Sequence, residues 1–248
     1  MSGSTEDGEP LGAAECTRYR SLVARANYLA QDRMDIQYSV KELTRRMSAP
    51  DSKDYEALKR LGRYFVGRPR VIINFDNQNR PKHLDCWVDT DWAGCVRTRR
   101  STSGGGMQWG SHSLNTWATT QATVALSSGE AEYYGVVIVK GASHVLGLSA
   151  LLADFGIKVR CRVHTDSTAA KGIASRTGLG RTRHIAVHLL WVQERIRNKD
   201  FELLKCKGTE NPADLMTKHL DQTAVEKYAA QWGLLVRSGR SPVAPHIV

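Results

Sequence analysis

The sequence predicts a mixed α/β fold, in which a short helical segment precedes a domain of strands and helices. Up to about residue 67, apolar residues recur at steps of three and four, as on one face of a helix. From residue 70 onward, short β-branched runs and two-residue alternation replace that pattern. The 248 residues are 41% hydrophobic and 24% charged, an ordinary composition for one or two globular domains, which excludes a mostly disordered or fibrous chain.

The N-terminal part is predicted to contain a flexible leader and then three short helices. Residues 1–14 are rich in Gly, Ser and acidic side chains, so we expect a leader without a core of its own. Residues 15–68 carry three helical apolar repeats, and the break at residues 49–52 separates the second from the third. Because three short helices bury little surface, we expect this segment to pack against another part of the protein.

Residues 70–220 are predicted to form the α/β domain, and residues 221–248 a tail without an assigned role. Strands followed by a long helix, then further strands and helices, favour a mixed sheet. The predicted strands lie at residues 71–75, 84–89, 103–110, 114–118, 159–165 and 201–206, and the predicted helices at 127–155, 167–175, 185–197 and 211–220. The clearest strand is 159–165, where apolar and charged side chains alternate.

The charge of the chain favours a polyanionic partner. Lys and Arg total 35 against 25 Asp and Glu, a net charge of +10, which suits nucleic acid or, less often, an anionic membrane; solubility alone would also account for it. No segment offers the roughly 20 nearly uncharged residues of a membrane span, and the N-terminus lacks a secretory signal. We therefore expect an intracellular protein with no membrane partner, in the cytoplasm or the nucleus. Five scattered cysteines without a Cys-x-x-Cys pair predict free thiols.

Four acidic residues stand at the ends of predicted elements and form the candidate site. Asp89 and Asp166 end strands, Glu132 lies in the first turns of the long helix, and Asp214 lies in the last helix. The carboxyl ends of strands meet at one edge of a sheet, and clustered carboxylates need a cation. Oxygen ligands suit Mg²⁺ or Mn²⁺, and two such ions about 4 Å apart can promote phosphodiester hydrolysis. With the basic charge, this pattern predicts metal-dependent cleavage of nucleic acid.

Each acid also has a structural explanation. Asp166 could cap the helix that follows its strand, and Asp214 could stabilise a helix N-terminus. Two acids, Glu130 and Glu132, lie close together in the long helix. Glu130 has a structural explanation, because Ser127 and Glu130 match a capping box. Glu132 lies two residues further, about 200° around the helix, and is free for another role. The spacing alone therefore leaves the four-acid site a hypothesis.

Several short blocks of residues stand in a characteristic order along the chain. They lie at residues 19–23 with 28–30, 32–36, 58–60 with 63–64, 89–94, 99–104, 124–128 with 130–133, 165–167, 181–185, and 213–214 with 217–218. Each block is weak by itself. The ordered set closely resembles the C-terminal part of copia-type retrotransposon Pol polyproteins, namely the end of the reverse transcriptase and its ribonuclease H domain.

The resemblance implies a ribonuclease H-like fold, a five-stranded mixed sheet with helices on both faces, preceded by a small segment similar to the reverse transcriptase thumb. It implies an enzyme that cleaves the RNA strand of RNA–DNA hybrids during retrotransposon reverse transcription, with two Mg²⁺ or Mn²⁺ ions as cofactors. The implied partners are the hybrid and the remainder of the Pol polyprotein. We expect the thumb-like helices to act as an arm that grips the hybrid.

The same resemblance assigns roles to the four acids, which would be both the catalytic and the metal-binding residues. Asp89 would bridge both ions. Glu132 and Asp166 would hold the ion that stabilises the leaving group, and Asp214 would hold the ion that delivers water.

Six further residues are implied as substrate contacts. Ser128 and Gly129 match positions that touch the minor groove, where the 2′-hydroxyl distinguishes RNA from DNA. Candidate phosphate contacts are Arg99, Arg100, Arg181 and Arg183. Each arginine could instead be a solvated surface charge. Trp92 and Trp117 are expected in the core.

Two departures from the family pattern limit what is implied. No histidine occurs in the stretch 207–210, where relatives place a mobile histidine, and no Tyr-x-Asp-Asp polymerase motif occurs in the chain. The alternative to a nuclease is an inert retrotransposon remnant that only binds nucleic acid. A glycosidase with paired carboxylates would explain neither the basic charge nor the set of four acids.

Overall fold

The computed structural model describes residues 8–95, 97–137, 141–178, 180, 185 and 187–239. These residues form two units. The N-terminal unit comprises the described residues up to Asn74 together with those from Gly233, and the second unit is Phe75–Trp232. None of the described helices combines the length and the hydropathy needed to cross a bilayer. The five cysteines form no disulfide bonds, in agreement with the prediction of thiols.

Three α-helices form the body of the N-terminal unit, as the apolar repeats predict. They are α1 (Ala13–Leu29), α2 (Gln37–Thr44) and α3 (Ser52–Gly67), with a 3-10 turn at Met34–Ile36. Their shared core includes Tyr19, whose hydroxyl donates to the carbonyl of Leu43 at 2.9 Å. The described part of the segment predicted to be a flexible leader, residues 8–14, is instead ordered by contacts. Residues 8–11 hydrogen-bond to residues 50–52, and α1 begins at Ala13.

A two-stranded antiparallel sheet completes this unit. Strand β1 (Arg70–Ile73) pairs with β7 (Leu234–Arg237), so that Val71 lies opposite Val236. The strand predicted at 71–75 therefore does not join the large sheet. The segment predicted to be a tail, 221–248, instead contains β7 and a helix of the second unit, α8 (Gln222–Gln231). The observed second unit, Phe75–Trp232, thus differs from the predicted domain of residues 70–220. The reason is that β1 and β7, which precede and follow this unit in the sequence, pair with each other in the N-terminal unit.

The second unit is built on a five-stranded mixed sheet, which confirms the predicted fold class. Its strands are β2 (His83–Asp91), β3 (Thr102–Trp109), β4 (His112–Thr120), β5 (Arg160–Thr165) and β6 (Glu202–Lys205). The order is β4-β3-β2-β5-β6. The first three strands are antiparallel neighbours, whereas β5 runs parallel to β2 and β6 runs parallel to β5.

Helices cover both faces of this sheet. One face carries the main core, in which Val88 and Val163 pack with residues of α4 (Ser128–Val137), α5 (Gly141–Asp154) and α6 (Thr168–Ser175). Helix α7 (Trp191–Arg197) extends this layer. The long helix predicted at 127–155 is described as α4 and α5, with residues 138–140 outside the described set.

The opposite face is covered by a 3-10 helix, Pro212–Met216, where the sequence predicted an α-helix over 211–220. Glycines of β3 allow this close approach. A Cβ atom at Gly104 would lie 2.5 Å from the Cβ of Met216, and one at Gly106 would lie 2.6 Å from the ring of Trp232. The Trp232 indole is fully buried and donates to the carbonyl of Pro212 at 3.0 Å. The glycine run therefore seats the 3-10 helix directly against β3.

Candidate metal centre

Three of the predicted acids form one cluster at the edge of the sheet. Asp89 lies near the end of β2, Asp166 directly follows β5, and Glu132 lies on α4, which packs against β2. Each offers one carboxylate oxygen, and these oxygens lie within 4.8 Å of one another. Because β2 and β5 are parallel neighbours, their ends bring Asp89 and Asp166 to the same edge.

The fourth acid, Asp214, reaches the cluster from the 3-10 helix. The Asn211 side chain anchors this helix by donating to the carbonyl of Val88 at 2.9 Å. The ammonium of Lys218 then donates to Asp214 Oδ1 at 2.8 Å and lies 3.4 Å from Asp89 Oδ1. The structure thus brings all four acids together, with Lys218 between two of them.

The capping explanations for Asp166 and Asp214 fit the structure less well. The N-cap of α6 is Ser167, whose hydroxyl accepts from the backbone N–H of Ala170 at 3.1 Å. The N-cap of the 3-10 helix is Asn211, which accepts from Ala213. Neither carboxylate is needed as a cap.

The two acids of α4 have separate surroundings, as the capping argument predicts. Ser127 Oγ accepts from the backbone N–H of Glu130 at 3.2 Å, and the Glu130 carboxylate accepts from Leu126 N–H at 3.0 Å and from the Tyr134 hydroxyl at 2.5 Å. Glu132 Oε2 is also buried, but it has no hydrogen-bond partner in the described structure. Glu130 is therefore structural, whereas Glu132 has a free acceptor.

Burial makes the charged forms of these acids costly. Asp89 is only 1% exposed, and this burial raises the pKa of its carboxyl. The positive charge of Lys218 lowers that pKa in part, and the negative charge of Asp214 raises it further. Burial and the charges of Asp89 and Asp166 raise the pKa of Glu132 to about 9. The pKa values of Asp166 and Asp214 are raised as well, chiefly by burial. A divalent cation would offset this cost, and the orphaned oxygen of Glu132 offers it a ligand, so the residues present fit such an ion.

The predicted substrate residues lie in different settings. Ser128 is exposed at the start of α4, whereas Gly129 is buried, and a Cβ on Gly129 would lie 2.6 Å from the Cβ of Ala169 on α6. The missing side chain of Gly129 is therefore explained by helix packing. Arg99 and Arg100 are exposed in the loop between β2 and β3, which leaves the same edge as Asp89. The other two candidates, Arg181 and Arg183, lie outside the described residues.

Sequence reasoning gave no role to two residues that contact the acids. Thr217 is fully buried and its hydroxyl donates to Asp89 Oδ2, while Lys218 contacts both Asp89 and Asp214. The available signal was the four-residue spacing from Asp214 to Lys218, typical of an ion pair on one helical face.

One core prediction is wrong. Trp92 is 48% exposed, and its indole N–H donates to the carbonyl of Ala125 at 3.1 Å. Trp117 is buried, as expected.

A five-stranded mixed sheet in the order β4-β3-β2-β5-β6, with helices on both faces, gives the second unit a ribonuclease H-like fold. No family model matches the chain. The chain is 29% identical over 221 residues to the retrovirus-related Pol polyprotein from transposon RE1 of Arabidopsis thaliana, covering 88% of this chain and 15% of that protein. It is 28% identical over 211 residues to the corresponding polyprotein from transposon TNT 1-94 of Nicotiana tabacum, covering 84% of this chain and 16% of the relative.

The chain is thus a homologue of copia-type retrotransposon Pol polyproteins and spans only a small part of their length. Among solved structures, it is similar to LC11-RNase H1, isolated from compost, with a TM-score of 0.39 and 12% identity over 59% of this chain and 97% of that one.

Proposed function

We propose that the second unit cleaves the RNA strand of RNA–DNA hybrids with divalent cations, as part of retrotransposon reverse transcription. The observation that carries this proposal is the cluster of Asp89, Glu132 and Asp166, three buried or half-buried carboxylates with oxygens within 4.8 Å of one another. Homology to Pol polyproteins supports the choice of reaction. The remainder of such a polyprotein is the proposed partner of this chain.

The four acids would hold the cations, with Asp89 shared between two ions. When bound, Mg²⁺ or Mn²⁺ ions activate water and stabilise the leaving oxygen of a phosphodiester. The chain positions the ligands: Thr217 fixes one oxygen of Asp89, and Asn211 fixes the 3-10 helix that carries Asp214. Because these donors come from buried side chains, the carboxylates are held in place before substrate arrives.

Substrate contacts would surround this edge. Ser128 is exposed on α4, one helical turn before Glu132. We propose that its hydroxyl contacts the minor groove of the hybrid, where the 2′-hydroxyls of the RNA strand are displayed. Arg99 and Arg100 are proposed to contact phosphates, because both are exposed in the loop that follows β2.

A gel assay with a labelled RNA–DNA hybrid, in Mg²⁺ or Mn²⁺, tests the proposal on the whole chain. We expect cleavage of the RNA strand, lost with EDTA and in Asp166→Asn. Asp200→Asn is the matched control, because Asp200 pairs with Arg195 at 3.0 Å, is not one of the four acids, and should leave cleavage unchanged. A folded protein that binds hybrid but cuts it in neither metal would overturn the proposal in favour of an inert remnant.

A further inference from the structure

We propose that Lys218 is a built-in counter-cation of the carboxylate site, which holds Asp89 and Asp214 together without metal and competes with one of the two divalent ions. This inference rests on the proposed function, since it concerns the same site. It assigns unequal affinities to the two ions: a tighter one at Asp89, Glu132 and Asp166, and a weaker one at the Asp214 side.

Contacts of both the backbone and the ammonium place Lys218 beside the acids. Its backbone N–H donates to the carbonyl of Asp214 at 3.1 Å, so the residue is held at the end of the 3-10 helix. Its ammonium lies 2.8 Å from Asp214 Oδ1 and 3.4 Å from the Asp89 carboxylate. The ammonium therefore stands between the two carboxylates that would hold a second divalent ion.

The two sides of the site differ in what their oxygens already contact. On the Asp214 side, Lys218 and Thr217 donate to the carboxylates of Asp214 and Asp89. On the other side, Glu132 Oε2 is buried without a hydrogen-bond partner in the described structure. A cation entering beside Glu132 gains a ligand oxygen that no described donor contacts, whereas a cation entering beside Asp214 meets the Lys218 ammonium.

The charge of Lys218 also explains how the acids coexist without metal. Repulsion between buried carboxylates is strong at the low effective dielectric of a protein interior, and one ammonium offsets part of it. The Lys218 side chain is 38% exposed, so it can move into solvent when a divalent ion replaces it. Removing the charge of Lys218 should therefore lower the stability of the metal-free protein and strengthen the binding of the second ion.

Mn²⁺ binding to the full chain, measured without substrate by calorimetry and by electron paramagnetic resonance of free Mn²⁺, tests this inference. We expect one tighter and one weaker site in the unmodified protein, and a second step at least about tenfold tighter in Lys218→Met. Lys218→Gln keeps a donor for Asp214 without the charge and should show the same tightening if the methionine variant folds poorly. Lys227→Met is the matched control, because Lys227 donates to the carbonyl of Thr209 and should leave both steps unchanged.

Thermal unfolding in EDTA supplies a second measurement. The melting temperature of Lys218→Met should fall below that of the unmodified protein, and Mn²⁺ should restore it. Unchanged or weaker Mn²⁺ binding in both Lys218 variants would overturn the inference, whether or not the hybrid is cut. Failure of the unmodified protein both to bind Mn²⁺ and to cut the hybrid would overturn the proposed function as well.

Discussion

Two acids that stand two positions apart on α4 acquire different properties from their surroundings. Glu130 accepts from Leu126 and Tyr134 and so stabilises the start of the helix, whereas Glu132 has a buried oxygen without a partner and lies with Asp89 and Asp166. Helical geometry alone separates the directions of the two side chains, which is why the sequence could distinguish them.

This difference predicts opposite effects of two amide substitutions. Glu132→Gln should lower the rate of hybrid cleavage by about a hundredfold, because the site loses a ligand that is charged when metal is bound. It should raise stability in EDTA at neutral pH, because a neutral amide removes the cost of keeping this buried carboxyl protonated. Glu130→Gln should lower the free energy of unfolding by about 1–2 kcal/mol while cleavage by the folded protein persists. Gel assays and denaturant titrations on both variants check the pair. Loss of cleavage in Glu130→Gln alone would contradict it.

The raised pKa of Glu132 predicts a pH dependence of metal-free stability. Its pKa is about 9 in the folded protein against 4.5 without perturbation. Between these values the folded state keeps a proton that the unfolded state has lost, so stability decreases as pH rises. The raised pKa values of Asp89, Asp166 and Asp214 act in the same direction.

We therefore expect the melting temperature in EDTA to fall from about pH 5 to about pH 9. Saturating Mn²⁺ should flatten the slope, because the ion favours the charged carboxylates. Glu132→Gln should flatten part of it without metal. A melting temperature in EDTA that rises over this range would show that the carboxylates are already charged in the folded protein.

At the scale of elements, the contact between β3 and the 3-10 helix decides where Asp214 lies. Gly104→Ala would place a Cβ 2.5 Å from Met216 and 2.7 Å from Thr217, so the 3-10 helix must shift. We expect a loss of about 1–3 kcal/mol in the free energy of unfolding, with slower cleavage because Thr217 and Asp214 move. Gly172→Ala, on α6 with no atom within 4 Å of the new Cβ, should instead add up to about 1 kcal/mol. Equal stability changes in the two variants would contradict this contact.

Local patterns were enough to predict the elements with a strong period. The alternation at 159–165 predicted β5, and the three apolar repeats before residue 68 predicted α1, α2 and α3. The strand ends then placed Asp89 and Asp166 at one edge. The 3-10 helix could not be told from an α-helix, because Asn211 and Pro212 start either one. Its packing against the glycines of β3 is a contact between distant residues, which no local pattern contains.

At the scale of the whole molecule, the division of the chain predicts that the second unit functions alone. Residues 75–232 contain all four acids, Lys218 and the whole five-stranded sheet. We expect this fragment to fold and to cut the hybrid, but to bind it more weakly at matched salt because the helices of the N-terminal unit are absent. Fluorescence anisotropy at several salt concentrations compares the fragment with the full chain. Equal affinities would exclude a gripping role for the N-terminal unit.

The pairing of β1 with β7 also constrains how the protein is made. The second unit is inserted between two strands that belong to one small sheet, so about 160 residues separate partners that must meet. A ribosome exposes β1 early and β7 only after the inserted unit has been synthesised. The small sheet of the N-terminal unit therefore cannot form until the second unit has been translated, although the core of α1, α2 and α3 contains no residue of β7.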